Sequence, residues 1–350
     1  MKKTLFILLS LLLTASSSWS QDTALKIQTE AEFRNFAAAV NAGNNFSGRN
    51  VLLVVDITLI EDWTPIGTTG APFQGTFDGQ GHRISNLNVN ADGQLYGDVA
   101  GLFGCVGQQG IVRRVAVENG IIRVANKSGN DASCYVGGIA GLCAGRIQQC
   151  ANRGATVLGN QTQANVGGIV GGLGIIGGGT TSATVEDCYN LGRIFTNKTE
   201  VADGNYLGGI VGDCDGTVQR VYVSTAVDIS NAAATDRIAN LSGVTSALSP
   251  AYYEGDMTGF ALDGSLNPQD DYAVWTFANN QLPELTAISQ PSTLLVGDVD
   301  LDGQITLTDL TCLINLIKDA SPVKPSADVN QDSRLNLKDV SALVQILLKQ

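Results

Sequence analysis

Small apolar residues recur along the middle of the chain in a pattern punctuated by glycine. Ala100-Gly101-Leu102-Phe103-Gly104, Gly137-Gly138-Ile139-Ala140-Gly141, Gly167-Gly168-Ile169-Val170-Gly171 and Gly208-Gly209-Ile210-Val211-Gly212 align between Tyr96 and Val227. An apolar pair follows each: Val112 with Val115, Ile147 with Cys150, Val185 with Cys188, Val218 with Val221. Asn152 and Asn190 align as well, as do Gly154 and Gly192. The intervals are unequal, so connecting loops vary while a core persists. The apolar runs are short and β-branched, and no helical periodicity is present. Repeats of this length cannot close a core alone and should stack. The pattern therefore predicts a mainly β fold, a right-handed parallel β-helix or solenoid. Val115, Cys150, Cys188 and Val221 should form an internal column, and Asn152 and Asn190 could ladder hydrogen bonds. Glycines would serve tight corners and close backbone approach.

Both ends of this region look capped. Thr29-x-x-Glu32 reads as a capping box, with Phe33, Phe36, Ala37 and Val40 behind it at helical spacing and Gly43 as a stop. Such a helix would cover the open edge of the first coil. Trp275-Thr276-Phe277 and Leu282-Pro283-Glu284-Leu285 read as an apolar flap at the other end.

The pattern changes near the C-terminus. Leu310, Leu313, Ile314 and Ile317 make a helical stripe, and Val340, Leu343, Val344 and Leu347 make a second. Thr306-x-x-Asp309 and Asn336-x-x-Asp339 supply the helix starts. An acidic loop precedes each. Asp298, Asp300, Asp302, Gln304 and Asp309 occupy positions 1, 3, 5, 7 and 12 of the first, and Asp328, Asn330, Asp332, Arg334 and Asp339 those of the second. Ca²⁺ is a hard cation that takes six to eight oxygens, and this spacing supplies them, position 7 through its backbone carbonyl. Apolar Ile305 and Leu335 at position 8 should pin the loops to a core. Two Ca²⁺ sites are expected. The second should bind less tightly. Ser333 replaces the glycine of position 6 at a cost of about 1 kcal/mol, and Asn330 and Arg334 weaken its negative charge.

No helix precedes either loop, since Pro291 to Gly297 cannot form one and Ser321-Pro322-Val323-Lys324-Pro325 separates the copies. This paired loop-helix arrangement, EF-hand-like but lacking the entering helix, resembles a type I dockerin from about Leu294 to Gln350. The resemblance implies a small α-helical domain that binds a cohesin module on another protein. It also implies partner choice through loop positions 10 and 11, here Leu307-Thr308 and Leu337-Lys338. Polysaccharide-degrading assemblies are the implied setting.

The repeat region is similar to GLUG-repeat proteins of bacterial cell surfaces. Gly-Gly-Ile-Val-Gly, Asp187-Cys188-Tyr189-Asn190-Leu191-Gly192 and the entry segments Asp62 to Gly67 and Phe73 to Ile84 carry that likeness, which covers about Leu25 to Leu285. It implies architecture more than activity.

Met1-Lys2-Lys3, an apolar run from Leu5 to Leu13 and small residues before Gln21 read as a cleaved signal peptide, too short to span a membrane. The expected organisation is 1–20 signal peptide, 21–286 β-solenoid, 287–293 linker and 294–350 dockerin-like domain, in a protein that is secreted or at the cell surface. A net charge of −12 disfavours nucleic acid. The seven cysteines, 105, 134, 143, 150, 188, 214 and 312, are odd in number and alternate with valine, so they read mostly as small buried apolar groups, with one or two disulfides between neighbouring coils as the alternative.

No catalytic residues stand out. Glu186 and Asp187 are neighbours whose side chains should diverge on a strand and pair with Arg220. Asp213 and Asp215 read as a solvated turn, with a weak calcium site as the alternative, and His82, the one histidine, as structural. The favoured function is a non-catalytic binding or display module anchored through the calcium-loaded domain, with a polysaccharide as a candidate ligand. The alternatives are a β-helical polysaccharide lyase or glycoside hydrolase, and a structural protein whose C-terminal domain packs within the chain.

Overall fold

The computed structural model describes residues 24–91, 99–124, 134–159, 164–175, 182–196, 206–223, 229–230, 239–241, 274–276, 284–289, 295–300, 304–321, 323–324, 326–332 and 334–349. The expected signal peptide, most of the linker, Asp302, Gly303, Ser333, Pro322, Pro325, Phe277 and Leu282-Pro283 lie outside them.

The described residues are mainly β, in parallel sheets with a few helices. Each glycine-punctuated repeat gives strands to the same four sheets in the same order. The second repeat contributes Cys134–Gly137, Ala140–Cys143, Arg146–Gln148 with Ala151–Asn152, and Thr156–Gly159. Neighbouring repeats pair in parallel register, so Val112, Ile147, Val185 and Val218 lie side by side. Like residues therefore stack on like, as the alignment predicts, and the stacked side chains are fully buried. The result is one sheet of eleven strands beside sheets of four, five and five. Among the described residues these sheets do not close into a complete solenoid.

Cys150 and Cys188 are fully buried beside Val115 and Val221. All seven cysteines are free thiols. Burial pushes Cys105 and Cys143 up to about 12 and Cys214 up to about 11, as befits thiols acting as apolar groups.

Asn152 and Asn190 are in register, but they do not form the expected ladder. Each clamps its own turn. The Asn152 Oδ1 accepts from the N–H of Ala155 at 2.8 Å, and its Nδ2 donates to the Ala155 carbonyl at 2.9 Å and to that of Gly168. Asn190 does the same with Gly192 and Gly209. A Cβ on Gly168 would stand 2.2 Å from Asn190 Nδ2, so only glycine fits there.

Helix α1 (Glu30–Asn41) forms as the spacing predicts. It buries Phe33, Phe36, Ala37 and Val40 and stops before Gly43, whose φ is +100°. Thr29 accepts from Glu32 N–H, but the Glu32 carboxylate takes the N–H of Gln28 rather than that of Thr29. Phe33 stacks on Trp63 at 4.4 Å, and Phe36 packs on Phe77 and Phe73, so the helix plugs one end of the core.

The flap differs from expectation. Strands Trp275–Thr276 and Glu284–Leu285 pair antiparallel, followed by the short helix α2 (Thr286–Ser289). Trp275, Leu285 and Ile288 cover Ala116, Ala151, Tyr189 and Tyr222. Those four residues belong to successive repeats, so the flap lies along the flank of the stack and not across its end. The stacked Tyr189 and Tyr222 rings leave an apolar stripe there that needs covering.

At the C-terminus α3 (Leu307–Lys318) and α4 (Leu337–Leu347) pack around Val299, Leu313, Ala327 and Leu343, with Ile305 and Leu335 in the same cluster. Ile314, read as part of the stripe, is exposed, and Leu316 packs instead.

Candidate calcium-binding loops

The sequence places an acid at the N3 position of both C-terminal helices, and the chain folds back around each. Thr306 and Asn336 cap α3 and α4, and in both cases the acid three residues on completes a capping box. Asp309 and Asp339 are thereby fully buried. Asp309 Oδ1 accepts from the N–H groups of Val299 at 2.6 Å and Asp300 at 3.1 Å, and Oδ2 from Thr306 at 2.7 Å. Asp339 repeats this with Asn330 at 3.2 Å and Asn336 at 2.9 Å. The position-12 carboxylate of each repeat thus ties the loop's start to the helix's first turn.

In the first loop Asp298, Asp300 and Asp309 converge, with one ligand oxygen from each lying within 4.8 Å of the others. Asp298 and Asp309 are buried and Asp300 half-buried. Three carboxylates at that separation repel strongly in a low-dielectric setting. An all-oxygen donor set of this charge fits a hard divalent cation and not a thiophilic one. The negative potential reaches Cys312, whose thiol is raised by burial and then by Asp300 and Asp309.

In the second loop Asp328 and Asn330 accept from the N–H of Asp332, each at 3.0 Å, and Asp332 accepts from Arg334 N–H. Gln331, at position 4, sits at φ +58°, in the left-handed region. Asn330 Nδ2 donates to Asp332 at 3.3 Å, and Lys338 Nζ stands 4.0 Å from the same carboxylate. Among the described residues, Asp328, Asp332 and Asp339 do not draw together as the first three do. Gln304 and Arg334 are exposed at position 7. Leu307 and Leu337 are each 72 % exposed at equivalent places on the two helices, with Thr308 and Lys338 beside them.

A second polar site, only partly legible in the sequence, lies on the eleven-stranded sheet. Arg113, Arg114, Gln148, Gln149, Glu186 and Asp187 line a cavity of about 270 Å³. Glu186 and Asp187 do not diverge, because Asp187 adopts φ +52° and the chain turns there. Both bind Arg220, with Asp187 Oδ1 at 2.7 Å and Glu186 Oε2 at 3.1 Å, and Trp275 Nε1 donates to Asp187. Arg114, Gln149 and Arg220 share the left-handed conformation at equivalent corners, a repeat feature that side-chain type alone does not reveal. Asp78 is held by Arg113 and Arg114 on the other side. Burial raises the carboxyls of Asp78 and Glu186, but their hydrogen-bond donors outweigh it and leave both below the ordinary range.

The remaining candidates are unremarkable. Asp213 is half-buried and raised by burial and by Asp215. His82 is buried, with Nδ1 3.0 Å from Asp56.

Residues 296–348 match the family model for the dockerin type I domain. Type I dockerin domains generally bind calcium, which agrees with the donor set above. The chain is 38 % identical over 103 residues to Halomucin of Haloquadratum walsbyi, a match covering 29 % of this chain and 1 % of that protein. It is 27 % identical over 132 residues to a protein described as a Gly-rich membrane protein of Evansella cellulosilytica, covering 36 % of this chain and 14 % of that one. The chain therefore spans only a small part of these curated relatives. A crystal structure from Bacteroides ovatus, described as an immunoglobulin A1 protease, aligns with a TM-score of 0.43 at 17 % identity, over 77 % of this chain and 94 % of that one. That score carries no inference about fold or activity. No helix among the described residues is long and apolar enough to cross a membrane.

Proposed function

We propose that this is an exported β-solenoid protein displayed through a calcium-dependent dockerin-cohesin contact. The observation that carries the reading is the convergence of Asp298, Asp300 and Asp309 within a segment that matches the dockerin family. Asp298, Asp300, Asp302, Asp309 and the Gln304 carbonyl would hold one Ca²⁺. Asp328, Asn330, Asp332, Asp339 and the Arg334 carbonyl would hold a second, more weakly. Leu307-Thr308 and Leu337-Lys338 would meet the cohesin module, which their exposure supports.

Each repeat visits the four sheets in the same order, which supports stacked coils over 21–286; their right-handed, GLUG-like character rests on the sequence resemblance alone, as does the division into a linker at 287–293 and a domain at 294–350. Residues 1–20 would direct export. The solenoid would bind or display, in the setting of polysaccharide degradation or surface assembly. An enzymatic reading has less support, since the cleft's Glu186 and Asp187 are both engaged by Arg220. The test is a pull-down with the purified chain from secreted and outer-membrane fractions, with and without calcium. Calcium-dependent recovery of a cohesin-bearing protein, lost on deleting 294–350, is expected. Recovery that ignores calcium or the deletion contradicts the reading.

A further inference from the structure

Among the described residues, the C-terminal domain touches the start of the β region through polar contacts that include the following three. Ser326 Oγ donates to Gln28 Oε1 at 2.6 Å, and both residues are buried. Lys324 Nζ pairs with Glu32 at 2.7 Å. Lys26 Nζ donates to the backbone carbonyl of Asp300 at 2.8 Å.

The placement of these residues gives the contact meaning. Lys26 lies on strand Leu25–Ile27, which ends the eleven-stranded sheet, and Gln28 and Glu32 lie at the entrance to α1. A sheet's end strand offers backbone groups for another chain to pair with, and natural proteins cover it. The Gln28–Ser326 bond is buried, so separating the two parts must rehydrate both groups or leave them unsatisfied. On the C-terminal side the contacts come from the segment between the two repeats and from the first loop. Gly297 N–H donates to the Ser326 carbonyl at 2.9 Å, joining those two segments. Leu307 and Leu337 take no part and stay exposed.

We propose that the C-terminal domain is seated on the first strand and the α1 entrance of the β region, and that seating and cation binding in the first loop reinforce each other. The coupling rests on the calcium reading given above. Asp300 belongs to both events, since its carboxylate is one of the three converging acids and its carbonyl is held by Lys26. A divalent cation cancels the repulsion that otherwise spreads the loop, and so keeps the carbonyl where Lys26 meets it. By linkage, the seat raises cation affinity by the factor by which the cation favours the seat. The consequence is presentation: the two leucine-bearing faces point outward from a domain in fixed orientation, not one swinging on a tether.

A zero-length carbodiimide reagent tests this on the full exported chain. It joins an amine and a carboxylate only when they touch, and mass spectrometry identifies the peptide pair. The expected result is a Lys324–Glu32 cross-link in calcium that falls at least tenfold in excess chelator, with a rise in the radius of gyration by small-angle scattering. Lys324→Glu should show that rise even in calcium. No cross-link in calcium, or an unchanged one in chelator, overturns the proposal. Far-UV circular dichroism of the same samples separates the two readings. A domain that folds with calcium but gives no cross-link sinks the seat alone. A domain indifferent to calcium sinks the metal reading and the coupling together.

Discussion

Single residues carry most of the chemistry, and their effects can be ranked. Asp300→Ala removes one of the converging acids, whereas Asp332→Ala removes an acid already shared with Asn330 and Lys338. Calcium-dependent folding, followed by circular dichroism, should weaken more in the first variant than in the second, and equal losses would count against the ranking. The paired thiols make the opposite kind of prediction. Replacing Cys150 and Cys188 with valine swaps small buried groups in a valine column, so stability should change by under about 1.5 kcal/mol in a denaturant titration. A larger loss would mean the thiols do more than fill space. Acid sensitivity follows from Asp78 and Glu186. Both carboxyls sit below their ordinary values of 3.8 and 4.5. Groups depressed in the folded state stabilise it fully above their unfolded values, and that contribution is lost as pH falls through the folded ones. Thermal melting should therefore drop below about pH 4.5, and Asp78→Asn should flatten part of that drop. An identical pH profile in the variant would contradict the assignment. These positions were unequally legible. The loop acids were visible because metal spacing is written in the sequence. The Glu186–Asp187–Arg220 cluster was only half visible. Pairing with Arg220 followed from the repeat, but the left-handed turn at Asp187 that aims both acids the same way is masked by its equivalents, since Arg114, Gln149 and Arg220 are not residues that favour it.

At the scale of elements, periodicity proved the strongest guide. Helix α1 and both C-terminal helices begin at the caps read from Thr29, Thr306 and Asn336, because a side-chain acceptor before an apolar stripe leaves few alternatives. In-register pairing across repeats was equally legible, since stacking like on like is what an imperfect tandem repeat encodes. What the pattern could not fix was where an apolar segment docks. The flap residues were recognisably apolar, yet the end of the stack and its flank are equally good sinks for them. Tyr189 and Tyr222, stacked 5.1 Å apart, decide for the flank. Tyr189 Oη also donates to Glu284 at 2.6 Å, and Arg153 pairs with the same carboxylate. Trp275→Ala should thus cost about 3–5 kcal/mol, the usual range for emptying a buried aromatic site. Calorimetry of that variant showing no loss would mean the flap is not part of the cooperative unit. The Asn ladder failed for a local reason: each amide finds its own turn's N–H groups nearer than the neighbouring amide.

For the whole molecule, two folding strategies share one chain. The β region obtains its core by repetition, plugged by α1 and covered along one flank. The C-terminal domain has only a small apolar cluster around Leu313 and Leu343, and small domains of this kind usually need a staple. Metal binding supplies that when buried acids converge, because the binding energy becomes folding energy. The acidic balance of the chain agrees with such a dependence. The proposed function requires the two C-terminal loops to bind calcium, the first more tightly than the second. Calorimetric titration of calcium into the metal-free full chain addresses it directly. Two binding events should appear, with the tighter one abolished by Asp300→Ala and both abolished by deletion of residues 294–350. Absence of binding heat, or binding that survives the deletion, would contradict the account.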